Sequence, residues 1–182
     1  MSRIDDLRDK YIRFISVPWP TDIAPDQRVI FCVYDPVDEL KMRRQYSRFD
    51  LETRNVGHEW IAYDFTDSFS RWMLQLDYAE EYFEDPSALN ECLGDFSKKL
   101  VSDFKAFIDT RQEDMSSTVV ALTGIGSLFG FQTINGLVSQ LAPMISGRLL
   151  VFFPGAYENN NYRLLDGYDG WNYRSVPITA TF

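Results

Sequence analysis

Residues 28–35 read RVIFCVYD. The run VIFCVY is apolar at every position and is rich in β-branched and aromatic residues. It lacks the alternation of polar and apolar residues that a strand with one solvent-exposed face would show. Such a run is typical of a strand buried on both faces of a sheet. Three later stretches are predicted to be strands as well: HEWIAYD (58–64), STVVALTG (117–124) and GRLLVFFPG (147–155). A last short strand is predicted at 173–179.

Helical patterns fill the segments between these strands. An N-terminal helix is predicted over 3–16, because Ser2 is a good N-cap and apolar residues recur at helical spacing after it. A long amphipathic helix is predicted over about 87–111, where apolar side chains repeat every three or four positions. Residues 124–131, GIGSLFGF, are predicted to be a glycine-rich turn from strand to helix.

The alternation of strands and helices predicts the fold class. We expect one three-layer α/β domain spanning 1–182, with a mainly parallel sheet of about five strands flanked by helices. A chain of 182 residues is long enough for one such core. The charged start MSRIDDLRDKYIRF lacks the apolar middle of a secretory signal, and no run is long enough to span a membrane, so we expect a cytoplasmic protein.

The charge distribution restricts the class of partner. The net charge is −9 at pH 7, which argues against direct nucleic-acid binding, since that requires clustered Lys and Arg. Residues 114–182 hold only three basic and four acidic side chains. This part of the chain is expected either to be buried or to meet a partner through a weakly charged surface.

Cysteine and histidine give no sign of metal or redox chemistry. Cys32 lies inside a predicted strand and Cys92 on the apolar face of a predicted helix, so both are interpreted as small core residues. Two distant cysteines with the single His58 are too few for a zinc site. We predict no cofactor and no metal.

In open parallel sheets, ligands bind at the carboxyl ends of the strands. The sequence places Asp35 and Asp64 at two such ends. The two carboxylates could hold a metal ion at a shared edge. Equally, both precede predicted helices, where capping is the commoner role of an aspartate.

The glycine-rich turn lies at a third strand end. Gly124 and Gly126 fit the start of G-x-G-x-x-G, but the next glycine is Gly130, one position late. No Lys-Ser/Thr ending follows, and Ser127 does not match the nucleophile elbow G-x-S-x-G. Tight turning is the simpler interpretation, and a nucleotide- or metal-binding enzyme with its site at this edge is the alternative hypothesis.

Residues 154–172 combine aromatic side chains with Asn and Gly and carry few charges. We predict an aromatic loop that packs on itself, that contacts a partner, or that does both, since Tyr, Trp and Arg dominate binding hot spots. The candidate partner-binding residues in and near it are Phe129, Tyr157, Tyr162, Arg163, Trp171 and Tyr173.

Four stretches together resemble the BrxB family, the small subunit of BREX (bacteriophage exclusion) systems. They are MSRIDDLRDKYIRFISVPW, RVIFCVYDP, TVVALTGIGSLFGF and GRLLVFFPGAYENNNYRLLDGYDGWNYRSVPITA. The resemblance implies a bacterial protein of anti-phage defence, encoded beside a methyltransferase (PglX), an ATPase (BrxC) and an alkaline-phosphatase-like protein (PglZ). The resemblance implies no catalytic residues for this chain. We therefore expect a non-enzymatic adaptor that acts by protein–protein contact, with PglZ as the first candidate partner.

Overall fold

The computed structural model describes residues 2–171 and 175–180, with the backbone alone described for Trp171. The fold is mixed α/β, with helices against both faces of a seven-stranded sheet. The strands are β1 (Val29–Tyr34), β2 (Glu59–Asp64), β3 (Thr118–Thr123), β4 (Arg148–Glu158), β5 (Asn161–Leu164), β6 (Gly167–Trp171) and β7 (Val176–Thr179). The helices are α1 (Arg3–Ile15), α2 (Glu39–Arg43), α3 (Tyr46–Asn55), α4 (Ser68–Met73), α5 (Ala79–Glu84), α6 (Leu93–Asp109) and α7 (Ile134–Leu141).

The strands pair in two ways. Strands β2, β3, β4, β1 and β7 lie side by side in that order and pair in parallel. The second half of β4 pairs antiparallel with β5, and β5 pairs antiparallel with β6. The α/β class is confirmed. The prediction of about five mainly parallel strands is only partly correct, because the sheet has seven strands and combines parallel with antiparallel pairs.

The extra strands come from the segment 154–172, and the prediction of a loop there is wrong. Asn159 and Asn160 have φ of 51° and 62° and join residues 158 and 161, which are paired across β4 and β5. Two consecutive residues at positive φ form the type I′ turn that matches the twist of a hairpin, and Asn tolerates this conformation well. The asparagines that suggested a loop are therefore the turn of a β-hairpin.

Two hydrophobic clusters cover the two faces of the sheet. Along β1, Phe31 and Val33 belong to one cluster, together with side chains of α4, α6 and α7. Ile30 and Cys32 belong to the other, together with side chains of α1, α2 and α3. All six residues of β1 are buried, as its apolar sequence predicts. No helix within the described part of the chain is long and apolar enough to cross a membrane.

The predicted helices differ from the observed ones at their ends. The helix expected over 3–16 ends at Ile15. The long helix expected over about 87–111 begins only at Leu93, because Pro86–Glu91 winds as a 3₁₀ helix. The turn expected over 124–131 contains a 3₁₀ helix at Ile125–Leu128, and α7 begins after it, at Ile134.

Gly155 marks the point at which β4 passes from the parallel to the antiparallel part of the sheet. A Cβ atom there would lie 1.9 Å from the carbonyl oxygen of Arg163, a backbone atom that cannot move without shifting β5. We expect Gly155→Ala to lower the free energy of unfolding by about 1–3 kcal/mol, measured by chemical denaturation.

Gly94→Ala is the matched control. Gly94 lies in α6, and its added Cβ would meet nothing within 4 Å. Replacing a helical glycine by alanine should leave the free energy of unfolding unchanged or raise it by up to about 1 kcal/mol. Equal stability of the two variants would contradict the proposed close approach at Gly155.

Candidate functional site

A crevice of about 640 Å³ opens at the carboxyl ends of three neighbouring strands. Its walls are one face of α1, the end of β1, the residues of β4 from Gly155 to Glu158, and the end of β7. Leu7 of α1, Val33 of β1 and Leu165 after β5 contribute apolar surface. We call this space the crevice.

The topology explains why the crevice forms between β1 and β4. After β1 the chain enters α2 and α3, whose buried side chains Met42 and Phe49 lie against one face of the sheet. After β4 it enters β5, whose side chains Tyr162 and Leu164 lie against the other face. Two adjacent strands whose continuations diverge to opposite faces leave a gap at their carboxyl ends, the usual ligand position in open α/β sheets.

The charges around the crevice are largely satisfied by one another. Arg3 lies 2.8 Å from Asp38 and 3.5 Å from Asp35, and Lys41 lies 2.7 Å from Asp38. The hydrogen bond from Lys41, with the nearby charges of Lys41 and Arg3, keeps the pKa of Asp38 below its ordinary value despite burial. Lys10 donates to the carbonyl of Thr179 across the crevice, at 2.7 Å.

The two predicted strand-end aspartates act as local caps. Asp35 accepts a hydrogen bond from the amide of Val37 (3.0 Å), and Asp64 accepts from the amide and hydroxyl of Thr66 (3.0 and 2.6 Å). Since β3 and β4 lie between their strands, three strand spacings of about 4.8 Å separate them by about 14 Å. A metal ion shared by these two carboxylates is therefore ruled out by the strand order.

The glycine-rich turn serves packing beside Asp64. Gly124 has φ of 70°, and a Cβ there would lie 2.4 Å from Asp64 Oδ1, so the site requires glycine. Gly124, Gly126 and Ser127 are not among the residues that line the crevice. Of the residues predicted to form a site at the carboxyl edge of the sheet, only Asp35 lines the crevice.

The end of β4 together with β5 and β6 (residues 155–171) forms a small antiparallel sheet that we call the β-extension. Arg163 and Tyr168 are directly opposite each other across β5 and β6, and both are exposed, Tyr168 to 62 %. Phe129, 41 % exposed, lies beside the extension, because its ring would be 2.8 Å from a Cβ atom at Gly167. Tyr157 is half-buried and donates to Asn160.

Tyr162 was predicted to contact a partner, and its burial corrects that prediction. Its side chain is 0 % exposed, stacks on Phe31 at 4.4 Å and meets Phe153 edge-on at 5.5 Å. Burial raises the pKa of its hydroxyl. Of the other candidates, Trp171 ends β6, with only its backbone described, and Tyr173 lies outside the described residues.

The predicted partner-binding set omits two residues of the β-extension. Tyr168 would have been found by the alternation of a strand, which was not recognised in a segment so rich in Gly and Asn. Asp169 is 8 % exposed, and its carboxylate accepts hydrogen bonds from the backbone amides of Ile134 (2.6 Å) and Asn135 (2.8 Å). A strand residue thereby caps the first turn of α7 and attaches the extension to the domain.

The candidate groups for metal or nucleophilic chemistry have structural contacts. His58 stacks on Trp19 with 3.8 Å between ring centroids, and its Nε2 lies 3.0 Å from the carbonyl of Ile15. Burial raises the pKa of the Cys32 thiol to about 12, which disfavours the reactive thiolate. Within residues 2–171 and 175–180, no three His, Cys, Asp or Glu side chains are grouped as metal ligands would be.

A family model described as "BREX protein BrxB" matches residues 69–178 of the chain. The matched region includes α4 from its second residue, α5 to α7, the glycine-rich turn and the whole β-extension. No curated protein and no solved structure matches the chain.

Asp169 provides a test of how the β-extension is held. Asp169→Ala removes the acceptor for two backbone amides at the start of α7, and we expect a loss of about 1–3 kcal/mol in the free energy of unfolding. Asp166→Ala, an exposed aspartate on the turn before β6, is the control and should change the value by no more than about 0.5 kcal/mol. Similar losses in the two variants would contradict the capping role.

The same carboxylate gives a pH dependence. Burial outweighs the hydrogen bonds from Ile134 and Asn135, so the pKa of Asp169 is raised. A raised folded-state pKa contributes stability that is fully present below the unfolded value of about 3.9 and is lost as the pH rises through the folded value. The stability difference between wild type and Asp169→Ala should therefore be largest in acid. Denaturation at a series of pH values measures it, and an increase towards neutral pH would contradict the assignment.

Proposed function

This chain belongs to the BrxB family of BREX proteins, and on that premise we propose that it is a non-enzymatic adaptor of a bacteriophage-exclusion complex in the cytoplasm. The family identifies a component of BREX phage defence. The adaptor role rests on the surface of the β-extension. In this proposal the protein acts by holding other BREX proteins together.

The observation that carries the proposal is the exposed pair Arg163 and Tyr168 on a rigidly held strand pair. An exposed Tyr beside an Arg offers apolar area, hydrogen bonding and stacking at little entropic cost, which is the chemistry of binding hot spots. Tyr162 in the core and Asp169 at the start of α7 fix the backbone beneath the pair. A partner would therefore meet a preformed surface, and less binding energy would be spent on ordering it.

PglZ is the partner we propose first, on the expectation that comes with the BrxB family. Direct DNA contact is not part of the proposal, since a protein of net charge −9 is repelled by the phosphate backbone unless a basic face is concentrated somewhere. Contacts with nucleic acid would then fall to other members of the complex.

The test is binding of purified PglZ to wild type and to the double variant Arg163→Ala, Tyr168→Ala, measured by calorimetry. Loss of the central Tyr and Arg of an interface should weaken binding at least about tenfold. Both side chains are exposed, so the variant should keep the wild-type denaturation curve.

The matched control is Val17→Ala with Leu51→Ala, two apolar side chains that are each 57 % exposed and lie outside the β-extension. Its affinity for PglZ should stay within about twofold of wild type. Wild-type affinity in the folded Arg163/Tyr168 variant would exclude the β-extension as the PglZ surface. Absence of PglZ binding by the wild-type protein would exclude PglZ as the direct partner.

The crevice supports a second candidate, a small-molecule site at the carboxyl ends of β1, β4 and β7. Its volume of about 640 Å³ lies within the range of pockets that bind small ligands. Calorimetry with nucleotides and divalent cations at millimolar concentration tests this alternative. Binding that is lost in Ala156→Leu, which enlarges a residue that lines the crevice, would favour it over a purely adaptor role, provided that variant keeps a cooperative unfolding transition.

A further inference from the structure

Three large apolar side chains are exposed within a short part of the chain outside the β-extension. Leu74 is 84 % exposed, Tyr78 64 % and Phe83 74 %. They lie between the end of α4 and the end of α5. We call residues 74–85 the acidic–aromatic segment. Exposed aromatic groups of this kind commonly mark an interaction surface.

The segment packs against the rest of the domain through other side chains. The exposure of Leu74, Tyr78 and Phe83 is therefore not the result of a detached segment. In α5, Ala79 and Tyr82 lie three residues apart on one helical face and pack against the core. The hydroxyl of Tyr82 also lies 3.0 Å from Cys92 Sγ. Phe83, the next residue, is nevertheless 74 % exposed, so the fold leaves its ring uncovered.

The stretch of sequence that carries these side chains has charge of one sign. From residue 72 to residue 97 the sequence contains no Lys or Arg, and it contains seven acidic residues: Asp77, Glu80, Glu81, Glu84, Asp85, Glu91 and Asp95. Asp95 pairs with Lys98 at 2.9 Å, whereas none of the other six has an ion pair among the described residues. Elsewhere in the chain many acidic side chains are paired, as Glu39 is with Arg43 and Asp50 with Arg54.

We propose that the acidic–aromatic segment docks a basic surface of a second protein, one that presents apolar pockets for Tyr78 and Phe83 within a rim of Lys and Arg. Apolar anchors surrounded by complementary charge are a common plan for specific interfaces. The sign of the charge makes DNA, RNA and anionic lipid surfaces unfavourable occupants. A second copy of this chain in an isologous contact would place like charges against each other.

This surface is chemically different from the β-extension, and the inference does not depend on PglZ binding there. The β-extension offers Arg163 beside Tyr168, with Glu158 and Asp166 exposed and Asp169 buried. The acidic–aromatic segment offers uncompensated carboxylates beside Tyr78 and Phe83. An adaptor with two unlike surfaces could hold two different proteins at once.

The experiment uses purified proteins of the BREX locus as probes, each titrated singly against the full chain by calorimetry. Two double variants are compared with wild type: Tyr78→Ala with Phe83→Ala, and Glu80→Lys with Glu81→Lys. At least one probe should lose about tenfold or more in affinity with each variant. Its affinity for wild type should also fall between about 0.1 M and about 1 M salt, as the Debye length shortens from about 10 Å to about 3 Å.

Two controls match these variants in chemistry and exposure. Val17→Ala with Leu51→Ala removes exposed apolar groups elsewhere, and Asp22→Lys with Glu113→Lys reverses two exposed charges elsewhere. Both should bind the probe within about twofold of wild type. Lysozyme, an unrelated basic protein, tests whether attraction is merely non-specific.

Four outcomes would overturn the proposal. In the first, no probe loses affinity with the segment variants; in the second, the matched controls lose as much affinity as they do. In the third, lysozyme binds as tightly as the probe. In the fourth, sedimentation equilibrium shows that wild type self-associates and that the segment variants do not. Each variant is first checked for a wild-type denaturation curve. Because Arg163→Ala with Tyr168→Ala leaves this segment intact, failure of the PglZ proposal and failure of this one give different results.

Discussion

The position of β4 is the constraint on which the rest of the structure depends. Its first half is buried between β3 and β1 and pairs with both in parallel, while its second half pairs with β5 alone. Gly155 permits the change, since a side chain there would overlap the carbonyl of Arg163. One strand therefore builds the main sheet, carries the β-extension away from it and forms a wall of the crevice. The fold and both of its candidate sites share this single element.

The sequence predicted the buried strands well because their signal is local. Every residue of β1 and of β3 is buried, and an uninterrupted apolar run needs no knowledge of its neighbours to be recognised. The β-extension was not predicted because two separate sequence features must be recognised together. One is the alternation of side chains in β5 and β6, and the other is the two-residue turn at Asn159 and Asn160. Asn and Gly were interpreted as loop formers, although two consecutive asparagines at positive φ close a hairpin.

The candidate site could be predicted only in part, because contacts between distant segments decide it. The sequence placed Asp35 and Asp64 at strand ends, but the strand order determines that they lie far apart. It identified the aromatic segment, yet which ring turns inward depends on register: Tyr162 pairs with Gly170, whereas its neighbour Arg163 pairs with exposed Tyr168. Asp169 caps α7 by accepting from two amides that precede it in the chain by 35 and 34 positions. No sequence pattern indicates a contact between segments so far apart.

The distribution of charge bears on the proposed adaptor role. The β-extension carries Glu158, Arg163, Asp166 and Asp169, and of these Asp169 is used internally to cap α7. The carboxylates of the acidic–aromatic segment have no ion pair among the described residues, although Asp85 caps the 3₁₀ helix that follows it. Like charges so close together along the chain lower stability through mutual repulsion. Such a cost is common where a surface serves binding. The two surfaces differ in charge and in the geometry of their elements, so one partner would not satisfy both, and each would select its own.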